Sequence, residues 1–282
     1  LWKTRGAWSG RRPRSVMPAT STALRRPARP TNLDTTDLNT TDLNTTNLDT
    51  SVPFTRKQAL AAGLDDSDLR DPAYTRLFHG VYIDAGVTRS IVTLTRAALA
   101  LAPTGSVAAG GTAAILWGAL VPDQRVITVR VPPGERLEVR GTRALRRGAQ
   151  PTTARRYGLP LTTPVQTFLD MATDLDLVEH VVLGDSLTRR GHATPEQLVA
   201  AAAEYRGPGA DRARRAAAYV RSGVDSAQET RMRMLFVLAR LPEPEVNIVI
   251  RDQDGEVIRR YDSGFRAARL AFEYDGRHHA PV

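Results

Sequence analysis

The chain has 282 residues, 41% of them hydrophobic, with no cysteine and a formal net charge of +9. That length supports two or three small domains with cores of their own. The absence of cysteine excludes disulfides, thiolate metal sites and a cysteine nucleophile, and leans towards a reducing compartment, here the cytoplasm. The longest apolar stretches, 97–102 and 107–121, are too short or too rich in glycine to span a membrane, so no membrane partner is expected.

Charge is unevenly placed. Residues 1–30 hold eight Lys or Arg and no acid, residues 31–50 hold four Asp and no base, and about +5 remains on 51–282. The first segment is rich in Arg, Pro and Ser without apolar periodicity, and no hydrophobic run follows its charges, so it does not read as a secretory signal. Its composition also suits an organellar transit peptide, or a start site placed upstream of Met17. The pentapeptides NLDTT, DLNTT, DLNTT and NLDTS follow at 32–51. They resemble one coil of a pentapeptide solenoid, but a lone coil has no neighbour to bury its leucines against. Residues 1–51 are therefore expected to be a disordered basic tail and linker.

Order is expected from Pro53. Thr55 can cap a helix over 56–62 closed by Gly63, and a second short helix is expected from Asp65 or Asp66. YTRLFHGVYID (74–84) alternates as two strands meeting near His79-Gly80. Helix, turn, helix and hairpin describe a winged helix-turn-helix over 52–86. The stretch resembles the N-terminal domain of the abortive-infection type IV antitoxins, which is taken to bind DNA. The resemblance implies phosphate contacts from Arg56, Lys57, Arg70 and Arg76, although Asp65, Asp66, Asp68 and Asp71 make the second helix acidic. A module that only contacts protein remains the other reading.

The middle segment, 87–223, reads as a mixed α/β module. Helices are expected over 90–103 and 110–120, and a strand over 125–133. A further strand with a basic loop is expected over 136–148. Thr163 with Pro164 marks the next helix start. Helices at 177–190, 195–205 and 210–221 follow. The tryptophan-centred helix and LTTPVQTFLD also resemble the later part of the antitoxin family. His180 and His192 stand alone and read as ordinary surface or helix residues.

The last segment, 224–282, begins with a helix over 226–241 whose Ser226 and Glu229 fit a capping box. Glu229, Met232 and Phe236 share one helix face. Strands follow at 245–251, 256–262 and 269–275, the first two joined by the turn at 252–255. Glu273 and Asp275 point to one face of the third strand. A helix and antiparallel meander with acids at 229, 262, 273 and 275 match the front half of a restriction-endonuclease-like core. Hard oxygen ligands from adjacent strands suit Mg²⁺ (or Mn²⁺) in phosphodiester hydrolysis. FEYDGRHH resembles the nuclease-like family related to the very-short-patch mismatch-repair endonuclease, whose Glu-x-Asp-Gly-x-x-His falls on Glu273, Asp275, Gly276 and His279. The resemblance implies Asp262 and Glu273 as metal ligands, and Asp275 as a ligand or a group supporting one. It also implies His279 as general base or phosphate contact, and Glu229 as an outer ligand. Position 275 is Asp where most of the superfamily has Lys.

The fold class is thus expected to be α+β and multidomain. The expected function is a DNA-binding protein with a Mg²⁺-dependent endonuclease-like end. The alternative is a non-catalytic antitoxin or transcriptional regulator with a cognate toxin. Because that nuclease fold continues with a further helix and strand, the chain is expected to be truncated at its C-terminus and inactive as it stands. The part after Arg221 is then expected to be marginally stable and the first to be proteolysed.

Overall fold

Thr55 begins the ordered architecture much as its sequence suggests. Its backbone N–H donates to the Gln58 side chain (2.7 Å) and its Oγ1 accepts from Gln58 N–H (3.2 Å), a reciprocal cap on α1, Arg56–Ala61. The computed structural model describes residues 48–146 and 151–273, all within one compact unit. Most of the expected tail, 1–47, lies outside the described residues. Within 48–51, Leu48 packs on Phe54, and Thr50 accepts a hydrogen bond from Asp84 N–H at 2.9 Å, so ordered structure starts before Pro53.

The second expected helix is a single 3-10 turn, Asp68–Arg70. Asp65 starts it, its carboxylate accepting from the N–H groups of Ser67 and Asp68 at 2.6 and 2.9 Å as a cap does, and Pro72 stops it, since the residue before a proline is pushed to extended backbone, as Asp71 is (ψ 140°). Strand β1 (Phe54–Thr55) pairs with β3 (Val81–Asp84), which pairs with β2 (Tyr74–Phe78), giving the order β1-β3-β2.

The middle of the chain builds a mixed five-stranded sheet in the order β6-β5-β4-β8-β7. The strands are β4 (Val107–Ala108), β5 (Ile127–Arg130), β6 (Thr142–Leu145), β7 (Thr153–Arg156) and β8 (Leu159–Thr162). The β7–β8 hairpin has no counterpart in the sequence-based expectations. Its two-residue turn needs positive φ at Tyr157 (51°) and Gly158 (73°), and tyrosine is not a residue that announces such a turn. The helices are α2 (Ile91–Leu101), α3 (Gly110–Leu116), α4 (Pro164–Asp170), α5 (Leu177–Arg189), α6 (Pro195–Glu204) and α7 (Ala210–Ala217). Ser90, Thr163, Asp176 and Thr194 each cap the helix they precede.

The last part is α8 (Ala227–Leu238), then the antiparallel meander β9 (Glu245–Arg251), β10 (Val257–Phe265) and β11 (Leu270–Phe272). The whole is α+β. Two hydrophobic clusters cross the expected module boundaries. Leu77, Val81 and Ile83 of the first hairpin pack with Ala97, Ala98, Ile127 and Val129. Met234 of α8 lies in the main core with Leu116, Phe168, Leu183 and Leu187. Helix α8 therefore contributes to the core of the middle module as well as to the meander.

Candidate metal and nucleic-acid sites

Glu229 sits in the first turn of α8 and is only 7% exposed. Its carboxylate accepts from Asp225 N–H (3.0 Å) and from Ser226 Oγ (2.7 Å), while Ser226 Oγ accepts from Glu229 N–H (3.2 Å). The Ser226 cap expected from the sequence is thus present, but the box is not closed, because the Glu229 carboxylate takes the Asp225 N–H and not the Ser226 N–H. Burial pushes the Glu229 carboxyl above its ordinary value, against those two hydrogen bonds, and repulsion from Asp262 and Asp225 adds to the rise. Asp262, half-buried on β10, is accordingly within electrostatic reach of Glu229. Two residues earlier, Arg260 donates to the Asn247 side chain and pairs with Asp225 at 3.1 Å, so this face of β10 looks at the start of α8.

Glu273 goes elsewhere. Its carboxylate is 3.5 Å from Arg259, whose guanidinium stacks 4.9 Å over the Tyr261 ring. Arg259 and Tyr261 alternate with Asp262 and point to the opposite face of β10. The expected convergence of Asp262 and Glu273 is therefore not what the described residues form. Glu273 lies one residue beyond the last paired position of β11, so the pleat no longer sets its direction and the nearby cation does. Asp275 and His279 lie outside the described residues. Among the described residues, no group of three or more His, Cys, Asp or Glu is arranged to hold a metal ion.

Of the four expected phosphate contacts, Arg56 is occupied. It makes two hydrogen bonds to Asp66, at 2.7 and 2.6 Å, and holds that carboxyl below its ordinary range. Lys57, Arg70 and Arg76 are exposed.

Sequence reading missed a buried ionic network. Asp185 of α5 accepts from Arg221 N–H, Thr230 Oγ1 and Arg233 Nη2, each at 2.8 Å. Arg233 also donates to Glu243 (2.8 Å), which accepts from Arg221 (2.7 Å). Arg233 is fully buried and Asp185 nearly so. Burial raises the Asp185 carboxyl even though Arg233 opposes it. The one sequence signal was Asp185 directly after the apolar stretch of α5, whereas Arg233 sits in a helix that already holds Glu229 and Arg231.

His180 is likewise a core residue and not a surface one. It is 1% exposed, stacks on Phe168 with ring centroids 4.1 Å apart, and its Nε2 lies 2.9 Å from the Phe168 carbonyl. Its pKa falls from 6.5 to about 4 through burial.

Among the described residues, no helix is long and apolar enough to cross a membrane. No family model matches the chain, and no curated protein does. The chain is similar to the crystal structure of the RV2827C protein from Mycobacterium tuberculosis at 17% identity, covering 70% of this chain and 79% of that one. At a TM-score of 0.41 that likeness carries no argument about fold or function.

Proposed function

We propose that the chain is a DNA-binding protein whose C-terminal helix and meander form part of a metal-dependent phosphodiesterase site. The observation behind this is that Asp262, on the central strand β10, lies within electrostatic reach of the buried Glu229 at the start of α8. Two carboxylates that repel each other, one of them buried, offer hard oxygen donors. A divalent cation would relieve both the repulsion and the cost of burying the charge. Glu229 and Asp262 would hold Mg²⁺ or Mn²⁺, with Glu229 oriented by its two cap hydrogen bonds. The cation would neutralise charge on a phosphate in the transition state. The roles of Glu273, Asp275 and His279 rest on the resemblance to the repair-endonuclease family, and the Glu273–Arg259 pair would have to open for Glu273 to join.

The N-terminal module, read as a compact winged helix with one helical turn in place of its second helix, would supply duplex contacts from Lys57, Arg70 and Arg76. A second reading is a non-catalytic regulator of the antitoxin type. Two features favour it: Glu273 is bound to Arg259, and both oxygens of Glu229 cap α8.

The test combines Mn²⁺ titration with nicking of supercoiled plasmid. The first reading expects Asp262→Asn to weaken Mn²⁺ at least about tenfold and to abolish nicking, since a lost ligand raises the barrier. Duplex binding that depends on Arg70 and Arg76, with neither Mn²⁺ binding nor nicking, would establish the second.

A further inference from the structure

The β7–β8 hairpin turns at Tyr157 and Gly158, on the edge of the five-stranded sheet. Asparagine or glycine is the ordinary residue at the first centre of a turn with positive φ at both. Tyrosine stands there instead, at φ 51°, with 56% of its surface exposed. Its ring joins neither of the two larger hydrophobic cores, so packing does not account for the strained position. A strained and exposed side chain of this kind points to a binding role.

Three guanidiniums gather on the same turn. Arg96 of α2 donates to the Tyr157 carbonyl at 3.3 Å, and Arg155 donates to the Gly158 carbonyl at 2.8 Å. The Arg156 guanidinium lies over two rings, 5.3 Å from the Trp117 centroid and 5.2 Å from the Tyr157 centroid. Among the described residues none of the three has a carboxylate partner. Helix α2 and strands β7 and β8 hold no acid, and residues 139–169 include six arginines and no acid.

We infer that this hairpin tip is a contact for single-stranded nucleic acid, with one base stacked on Tyr157 and the flanking phosphates on Arg96 and Arg155. Arg156 backs one face of the ring, and the exposed remainder takes the base. The bonds to the turn carbonyls use one donor of Arg96 and one of Arg155, which fixes both guanidiniums and leaves further N–H groups for phosphate oxygens. A duplex keeps its base faces inside the stack, and an acidic peptide satisfies the arginines without needing the ring. A single strand uses both. The site lies outside the first module and the C-terminal carboxylates, so it is independent of the function proposed for them.

The experiment uses the full chain, a labelled oligothymidylate of about ten nucleotides, and the same strand with abasic sugars in place of its bases. Fluorescence anisotropy is expected to show the wild-type chain binding the thymidylate about tenfold tighter than the abasic strand, since one stacked base is at stake. Tyr157→Asn keeps the turn and removes the ring. It should bind both strands alike without lowering the melting temperature, and Tyr157→Phe should bind as the wild type does. Arg155→Gln should weaken both strands and reduce the slope of log affinity against log salt by about 0.7, one phosphate contact being lost. Equal wild-type affinity for the two strands, or an undiminished preference in Tyr157→Asn, overturns the proposal. So does a duplex or a polyglutamate peptide that binds tighter than the thymidylate and loses affinity in Arg155→Gln.

Discussion

Replacing Asp185 by alanine removes one carboxylate and strands three donors. They are the Arg221 N–H, the Thr230 hydroxyl and the Arg233 guanidinium, all within 2.8 Å in the folded chain. Arg233 stays fully buried and keeps only Glu243, whose side chain is 30% exposed. Breaking a buried pair from one side costs about 3–5 kcal/mol, because a charge is left without its partner. That is a large part of the roughly 5–15 kcal/mol that holds a domain folded. The double replacement Asp185→Leu with Arg233→Met removes both charges and keeps apolar volume but still strands the Arg221 N–H and the Thr230 hydroxyl, so it should cost less than the single variant, about 1–3 kcal/mol. Urea unfolding followed by far-UV circular dichroism, with Trp117 as a core reporter, measures both. A loss below about 1 kcal/mol in the single variant, or a double variant as unstable as the single one, would refute the buried-network reading.

Three further outcomes are expected. His180 is held at about 4 against 6.5 unfolded, so the unfolded chain takes up a proton first as pH falls. Stability from this group is complete above 6.5 and drops through the window down to 4 by about 3 kcal/mol. Asp185 and Glu229, raised by burial, act the other way, since the cost of ionising them is relieved as pH falls through their raised values. His180→Gln should therefore flatten the wild-type loss over that window in pH-dependent melting, and an unchanged slope would remove His180 as its source. Gly209→Ala should lose about 1–2 kcal/mol, because φ is 78° and a Cβ there would meet Ala172 at 3.0 Å; chemical denaturation measures it. Among the described residues after α7, limited proteolysis should cut the exposed turn at 252–255 before 222–226, since Val224 is buried and α8 is bound to α5. Early cleavage at 222–226 would restore the sequence-based expectation of a weakly attached last third.

Local features were legible in the sequence because their partners are three residues away. The caps at Thr55, Thr163, Thr194 and Ser226 are i to i+3 hydrogen bonds, fixed by residue type and spacing. The alternation in β9 and β10 was legible for the same reason, since a period of two follows from the pleat. Other features depended on distant groups. Asp185 and Arg233 are 48 residues apart, and only the packing of α5 on α8 makes them partners. Glu273 could reach one face or the other, and the position of Arg259 decided it. The sequence by itself thus determined where helices start and which strand residues alternate. Tertiary structure decided which charges are buried and which acids meet, because those outcomes are set by contacts that no local spacing encodes.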